Sequence, residues 1–219
     1  MRGEDFEIFI EEFGEPTLRR DVPEEALRKW AGKLPGRLLE YWQLEGWSQY
    51  ADGLFWIVDP DEFEGVTTDW LSGTPLVNID KFHTIARSAF GSLYLCGETT
   101  GRNITINCSI HGIAAVPREL KPKTPVQLDK SIRAFFGSSS PDRFDLDDEQ
   151  GKPLFRRALS NLGPLEQDEV YGFEPAIASG GRLILENLKR MKAEQHLTIL
   201  RQLAAPRIPF LNENIDKIS

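Results

Sequence analysis

Phe6, Phe9, Ile10 and Phe13 recur at the i, i+3, i+4, i+7 spacing that lays one apolar stripe along a helix, and Gly14 ends it. The other side of this segment is almost wholly acidic, with Glu4, Asp5, Glu7, Glu11 and Glu12. Asp21 and Pro23 announce a second helix, with Glu24 and Glu25 in a first turn where negative charge suits the helix dipole. Leu27 and Trp30 form its apolar side and Gly32 closes it. The stretch Leu34 to Pro60 comes next and organises the rest. Pro35 is placed to open a helix, Leu38, Leu39 and Trp42 line one face, and Gly46 stands where a left-handed cap falls. Then the period changes. Asp52-Gly53 reads as a turn, and Leu54 to Val58 as a short buried strand stopped by Asp59-Pro60. Trp42 and Trp56 are expected in the core. Trp47 and Tyr50 fall in the connection among Ser48, Gln49 and Asp52, and are expected to reach the surface, where aromatics anchor interfaces.

Asp61, Glu62 and Glu64 surround Phe63 in a short acidic segment, and Val66 to Leu71 predicts a helical turn or two around Trp70. From Lys81 the texture is β. Phe82 to Ala86, Leu93 to Cys96, Asn103 to Cys108 and Ile113 to Val116 are short apolar or alternating runs, spaced as an antiparallel meander. Pro117 to Pro125, rich in proline and lysine, reads as a linker. Beyond it, helices are predicted around Leu128 to Phe136, from Pro153 through Leu162, around Leu183, Leu188 and Met191, and through Leu197, Leu200 and Leu203 up to Pro206. Tyr171 to Pro175 reads as a turn. The fold class is therefore α+β, with N-terminal helices packed on an antiparallel meander and a mainly helical C-terminal region. The domains divide as 1–118 and 119–219.

At 219 residues the chain has enough apolar content for one large core or two small ones. No run approaches a membrane span and the acidic N-terminus is unlike a secretory signal, so a cytoplasmic location is expected. Cys96 and Cys108 are isolated and read as free, buried thiols. The net charge of −8 is uneven: the first 80 positions hold 18 acidic against 7 basic residues, whereas 119–219 balance. Such a surface aids solubility and also steers a basic partner. It disfavours direct DNA or RNA binding, which needs Lys and Arg against phosphates.

Converging chemistry is scarce. His83, His111 and His196 are scattered, with no partner at metal-ligand spacing, so neither a metal nor a cofactor is expected. Nucleophile-elbow, phosphate-loop and dinucleotide fingerprints are missing. Gly97 to Gly101 fits a hairpin loop better than a phosphate cradle. Asp145, Asp147, Asp148 and Glu149 lack the alternation and central glycine of a calcium loop. His83, Arg87, Asp168 and Glu169 remain as raw material for a small-ligand or catalytic site, the alternative to a binding protein.

Two groups of motifs carry a resemblance. Leu34-Pro35, Leu39-x-x-Trp42, Gly46, Tyr50-x-Asp52-Gly53-x-Phe55-Trp56-x-x-Asp59-Pro60 and Ala86 to Gly91 resemble the GAD-related N-terminal domain. Lys152-Pro153-Leu154-Phe155, Leu162-Gly163-Pro164-Leu165, Asp168-Glu169-x-Tyr171-Gly172-Phe173-x-Pro175, Gly180-Gly181, Glu186-Asn187-Leu188 and His196-Leu197-x-Ile199-Leu200 resemble the C-terminal domain of type VI secretion immunity proteins. The order of elements from Leu34 to Val116 is also similar to the Smi/Knr-type superfamily, whose regulatory adaptors give a third reading. The resemblance implies a non-enzymatic immunity protein. It would neutralise a co-produced antibacterial toxin, a DNase in the best-understood members, in the cytoplasm of the producing cell. The motifs do not identify contact residues; the position and charge of the residues themselves point to Trp47 and Tyr50 as anchors, with Asp52, Asp61, Glu62 and Glu64 in positions otherwise taken by phosphates.

Overall fold

Seven strands follow one another across a single antiparallel sheet in their order along the chain, in a computed structural model that describes residues 2–209. The first helix, α1 (Glu4–Phe13), has the predicted limits; Phe6, Phe9 and Phe13 are buried, and Gly14 at φ +77° ends it. The short edge strand β1 (Leu18–Arg20) follows, then α2 (Glu24–Trp30) and α3 (Gly36–Glu45). Pro35 is the residue before α3 rather than its first, and Gly46 closes the helix at φ +71° as expected.

The sheet continues with β2 (Trp47–Tyr50), β3 (Phe55–Ile57), β4 (Phe82–Ser88), β5 (Ser92–Gly97), β6 (Gly101–Asn107) and β7 (Gly112–Ala115). Between β3 and β4 lies α4 (Glu64–Leu71). The four predicted meander strands and the Leu54–Val58 strand are present. The segment read as a connection is β2, buried along its whole length, and it pairs with β1 on one side and β3 on the other.

Successive residues on a strand point to opposite sides, and β3 shows both environments. Phe55 joins an aromatic layer: 5.4 Å from Phe9, 4.8 Å from Phe144 and 6.3 Å from Phe136 by ring centroids. Phe136 belongs to α5 (Pro125–Gly137), which runs against α1 and α3, with Phe6 and Tyr41 at 5.1 and 5.3 Å. Trp56 turns the other way and carries the Arg87 guanidinium at 4.4 Å. On this side α4 docks by a Thr67–Thr84 hydroxyl pair at 2.8 Å.

The C-terminal half adds α6 (Phe155–Leu162), a hairpin of β8 (Glu169–Phe173) and β9 (Leu188–Lys192), and α7 (Ala193–Leu203). The hairpin corrects two expectations: Tyr171 to Phe173 is strand rather than turn, and the helix placed on Leu188 and Met191 is β9. Those two apolar residues are three apart, a spacing that reads as helical. Their pairing with Phe173 and Val170 instead fixes an extended register. The expected linker is also pinned down. Its first residues form a 3-10 turn (Pro117–Leu120), Lys123 donates its N–H to the Thr99 carbonyl at 2.8 Å, and Thr124 with Gln127 makes a reciprocal capping box for α5. The two halves thus contribute to one continuous hydrophobic cluster. Cys96 and Cys108 are free and buried, and burial pushes the Cys96 thiol up to about 12. The outer side of β7 is covered at its start by the chain itself: Ile113 N–H donates to the Arg207 carbonyl and Arg207 N–H to the His111 carbonyl, each at 2.8 Å.

Candidate partner-binding surface

After β2 the chain turns through three residues with positive φ: Ala51 (+49°), Asp52 (+56°) and Gly53 (+96°). Only glycine adopts this region without cost, so Ala51 and Asp52 are strained. The turn is held by the Trp56 indole N–H, which donates to the Gly53 carbonyl at 2.7 Å. It presents Asp52 to Arg156 of α6 at 2.5 Å. Together they border a groove of about 480 Å³, floored by Phe13, Leu54 and Phe155 and lined by Glu12, Glu15, Asp52, Asp142 and Asp145, with Arg156 as its cation. Asp145 is half-buried and accepts the N–H groups of Leu146 and Phe155 at 2.7 and 2.9 Å; burial still raises its carboxyl above the usual range.

The second acidic segment is a 3-10 turn (Pro60–Phe63) capped by Asp59, whose side chain accepts the Asp61 N–H. Its carboxylates are largely spoken for. Asp61 meets Lys29 at 2.6 Å and holds that ammonium above its ordinary value, and Glu62 meets Arg20 at 2.6 Å. Glu64 opens α4 and forms no ion pair among the described residues. Exposed Glu4, Glu7, Glu11 and Glu12 on α1 likewise have no ion-pair partner there. With Glu25 and Asp69, they make up the exposed negative charge of this half that no described cation offsets. Their acidic helix side was legible in sequence, but Asp142 and Asp145, which complete the groove from the other half, carried no signal that could place them beside it.

The sequence-predicted contacts divide. Asp52, Asp61, Glu62 and Glu64 are exposed. Trp47 is 7% exposed and Tyr50 fully buried, which corrects the expectation that both reach the surface. The polar neighbours that suggested exposure are themselves satisfied inside: Ser48 Oγ donates to the Glu45 carbonyl, and Gln49 Nε2 donates to Thr17 Oγ1 at 2.7 Å. Tyr50 lies 5.0 Å from Phe9, within the aromatic layer.

The alternative site also divides. His83 is buried on β4, bonded to Glu98 at 3.0 Å and packed edge-on against Trp30; desolvation holds its pKa below the usual value. It lines a cavity of about 410 Å³ with Glu64, Thr67, Val77 and Phe82, and Arg87 is not among the lining residues. Arg87 is fully buried elsewhere and donates to the Gln167 carbonyl at 2.8 Å. Asp168 and Glu169 are tied to Lys192 and Arg190 at 2.8 and 2.5 Å. Asp148 accepts the N–H groups of Gln150 and Lys152 and pairs with Arg157, a loop brace. No cluster of three or more His, Cys, Asp or Glu side chains is placed to hold a metal among the described residues, nor is any described helix long and apolar enough to cross a membrane.

Two family models match the chain in succession. Residues 4–110 match the GAD-like domain, and residues 129–204 match T6SS immunity protein Tdi1, C-terminal. The fold is similar to the crystal structure of Atu4351 from Agrobacterium tumefaciens, with a TM-score of 0.79 at 24% identity, over 91% of this chain and 89% of that one. At that identity the likeness shows the fold alone. No curated protein matches the sequence.

Proposed function

With a GAD-like domain ahead of the C-terminal domain of T6SS immunity protein Tdi1, the chain is a T6SS immunity protein in its architecture, and from that premise we propose that it neutralises a secreted antibacterial DNase by covering the surface with which the toxin grips its substrate. The observation that carries this reading is the match of residues 129–204 to the Tdi1 C-terminal domain. Charge supports the choice of target. A nuclease must present Lys and Arg to phosphates, and the first 80 residues here carry a net −11. Complementary charge raises the encounter rate and fixes register more than it adds affinity.

In this reading the protein transforms no substrate and acts in the cytoplasm of the cell that makes the toxin. Asp52, Asp61, Glu62 and Glu64 face the toxin together with the carboxylates of α1, while Trp47 and Tyr50 hold the scaffold behind them. A standard interface buries ~1,600 Å² in total. Co-expression with the candidate toxin encoded beside it is the test. Restored growth with intact chromosomal DNA is expected; continued DNA breakage at a clear excess of this protein would reject the nuclease target.

A further inference from the structure

The groove of about 480 Å³ beside Asp52 is built from both family-matched segments. The end of α1 and the turn at 51–54 supply one wall. The 3-10 turn Pro141–Arg143, Asp145 and the start of α6 supply the other. Phe144 fixes the two together. Its ring lies 5.5 Å from Phe13 and 4.8 Å from Phe55, so Asp142 and Asp145 are carried beside a packed aromatic rather than on a free loop. Half-buried Ala51 and Pro141 and exposed Pro153 give the groove apolar surface above the buried Phe13 and Phe155.

Charge along these walls is unevenly matched. Arg2 meets Glu15 at 2.7 Å and Arg156 meets Asp52 at 2.5 Å. Glu12, Asp142 and Asp145 also line the groove, and none of them meets a cation among the described residues. Asp145 Oδ1 accepts the N–H groups of Leu146 and Phe155, which leaves Oδ2 for an incoming donor. No three carboxylates among the described residues are placed to hold one metal ion. They are instead spread along a cleft in the ~300–1,000 Å³ range that admits a whole ligand group. Such a layout fits a long cation with an apolar stem, the make-up of Arg and Lys side chains. We infer that the groove is a socket for one basic side chain of the toxin, whose methylenes lie on Ala51, Pro141 and Pro153 and whose head is held by Asp142 and Asp145. The occupant rests on the nuclease-inhibitor reading, because a nuclease must offer such side chains to phosphates. Glu12 joins the socket to the unpaired acidic side of α1, so a toxin steered by that helix arrives at its mouth. Because the walls are already packed, little ordering accompanies entry.

Dissociation rates separate the socket from general charge, since a rim charge acts mainly on association and an enclosed pair on dissociation. With the candidate toxin encoded beside this protein, Asp142→Arg is expected to speed dissociation about tenfold or more, and Asp142→Ala to speed it less. Glu25→Arg makes the same charge change on α2, outside the groove, and should leave dissociation within about twofold of the unaltered protein. Asp142 is exposed, so the thermal midpoints of its variants should match that of the unaltered protein, which checks their fold. Among toxin variants with a single Arg or Lys changed to Glu, one should bind Asp142→Arg more tightly than the unaltered toxin does. The socket is overturned if the toxin leaves Asp142→Arg and Glu25→Arg at the same rate, or if no charge reversal in the toxin restores binding. Tight binding of the unaltered protein in that same experiment would leave the inhibitor reading standing. A toxin that does not bind the unaltered protein overturns both. A dimer of this chain that Asp142→Arg separates would give the groove to a second copy and overturn its assignment to the toxin.

Discussion

Arg87 carries a charge into the interior with no carboxylate to meet it. Its guanidinium is held by the Gln167 carbonyl, by the face of Trp56 and, weakly, by the Ser88 carbonyl at 3.4 Å. Desolvation pushes its pKa down to about 9, with Glu62 and Asp168 pulling the other way. A desolvated cation–π contact is worth up to about 2 kcal/mol, and leaving a buried carbonyl unsatisfied costs about 1–3 kcal/mol. Losing both contacts of the charged head should therefore destabilise Arg87→Met by roughly 3 kcal/mol, and Arg87→Ala, which also loses the packed stem, by more; urea unfolding midpoints decide. An equal loss in both variants would assign the whole effect to the charged head. His196 gives a pH dependence. Burial depresses its pKa and Glu174 only partly restores it. A histidine whose native pKa lies below its unfolded value contributes fully above about pH 6.5 and loses that contribution as the pH falls. Stability should thus decline on acidification below that point, and less steeply in His196→Leu. At this scale the sequence was least legible. Trp47 and Tyr50 have polar neighbours, and nothing local reveals that those neighbours find their hydrogen bonds inside a strand covered on both sides.

Elements were easier to read where an amphipathic stripe or flanking turn residues set them off, and this held even for β4 and β5, which are buried at every position. Both α1, with its aromatic stripe against glutamates, and β4 to β7, with glycine-marked turns, were recognised with nearly correct limits. The strands β2, β8 and β9 were not. Trp47–Tyr50 is buried throughout, so no alternation marks it, and Leu188 with Met191 imitates a helical period. Helix ends supply tests at this scale. Thr124→Ala removes the capping box of α5 and should cost about 1 kcal/mol. Gly46→Ala should cost more than a capping residue normally does. Besides the penalty of φ +71°, its Cβ would stand 2.4 Å from the Arg20 carbonyl oxygen, which pins β1 to the sheet. Thermal unfolding of both variants ranks them; a Gly46→Ala loss below that of Thr124→Ala would mean that β1 moves aside freely.

As a whole, the molecule has one hydrophobic cluster built from both family-matched segments. Phe136 of the second segment packs on Phe6 and Phe9 of the first. A single cooperative unfolding transition is expected by calorimetry, and two separable ones would contradict the shared core. The proposed partner surface could not be read from periodicity, because a surface that faces another protein has no period of its own. Ion pairing nevertheless ranks its parts. Reversing Glu7, Glu11 and Glu12 to Lys should slow toxin association by about tenfold or more at low salt. Reversing Asp61 and Glu62, already matched by Lys29 and Arg20, should do less, and stopped-flow mixing at two ionic strengths separates them. The partial closure of β7 by Arg207 has a consequence for self-association. Filament growth by strand stacking needs two open rims per molecule, one to receive and one to offer. With the start of the β7 rim occupied by the chain's own backbone at Gly112 and Ile113, stacking across this sheet is hindered on that side, and β1 is the rim through which two molecules would pair.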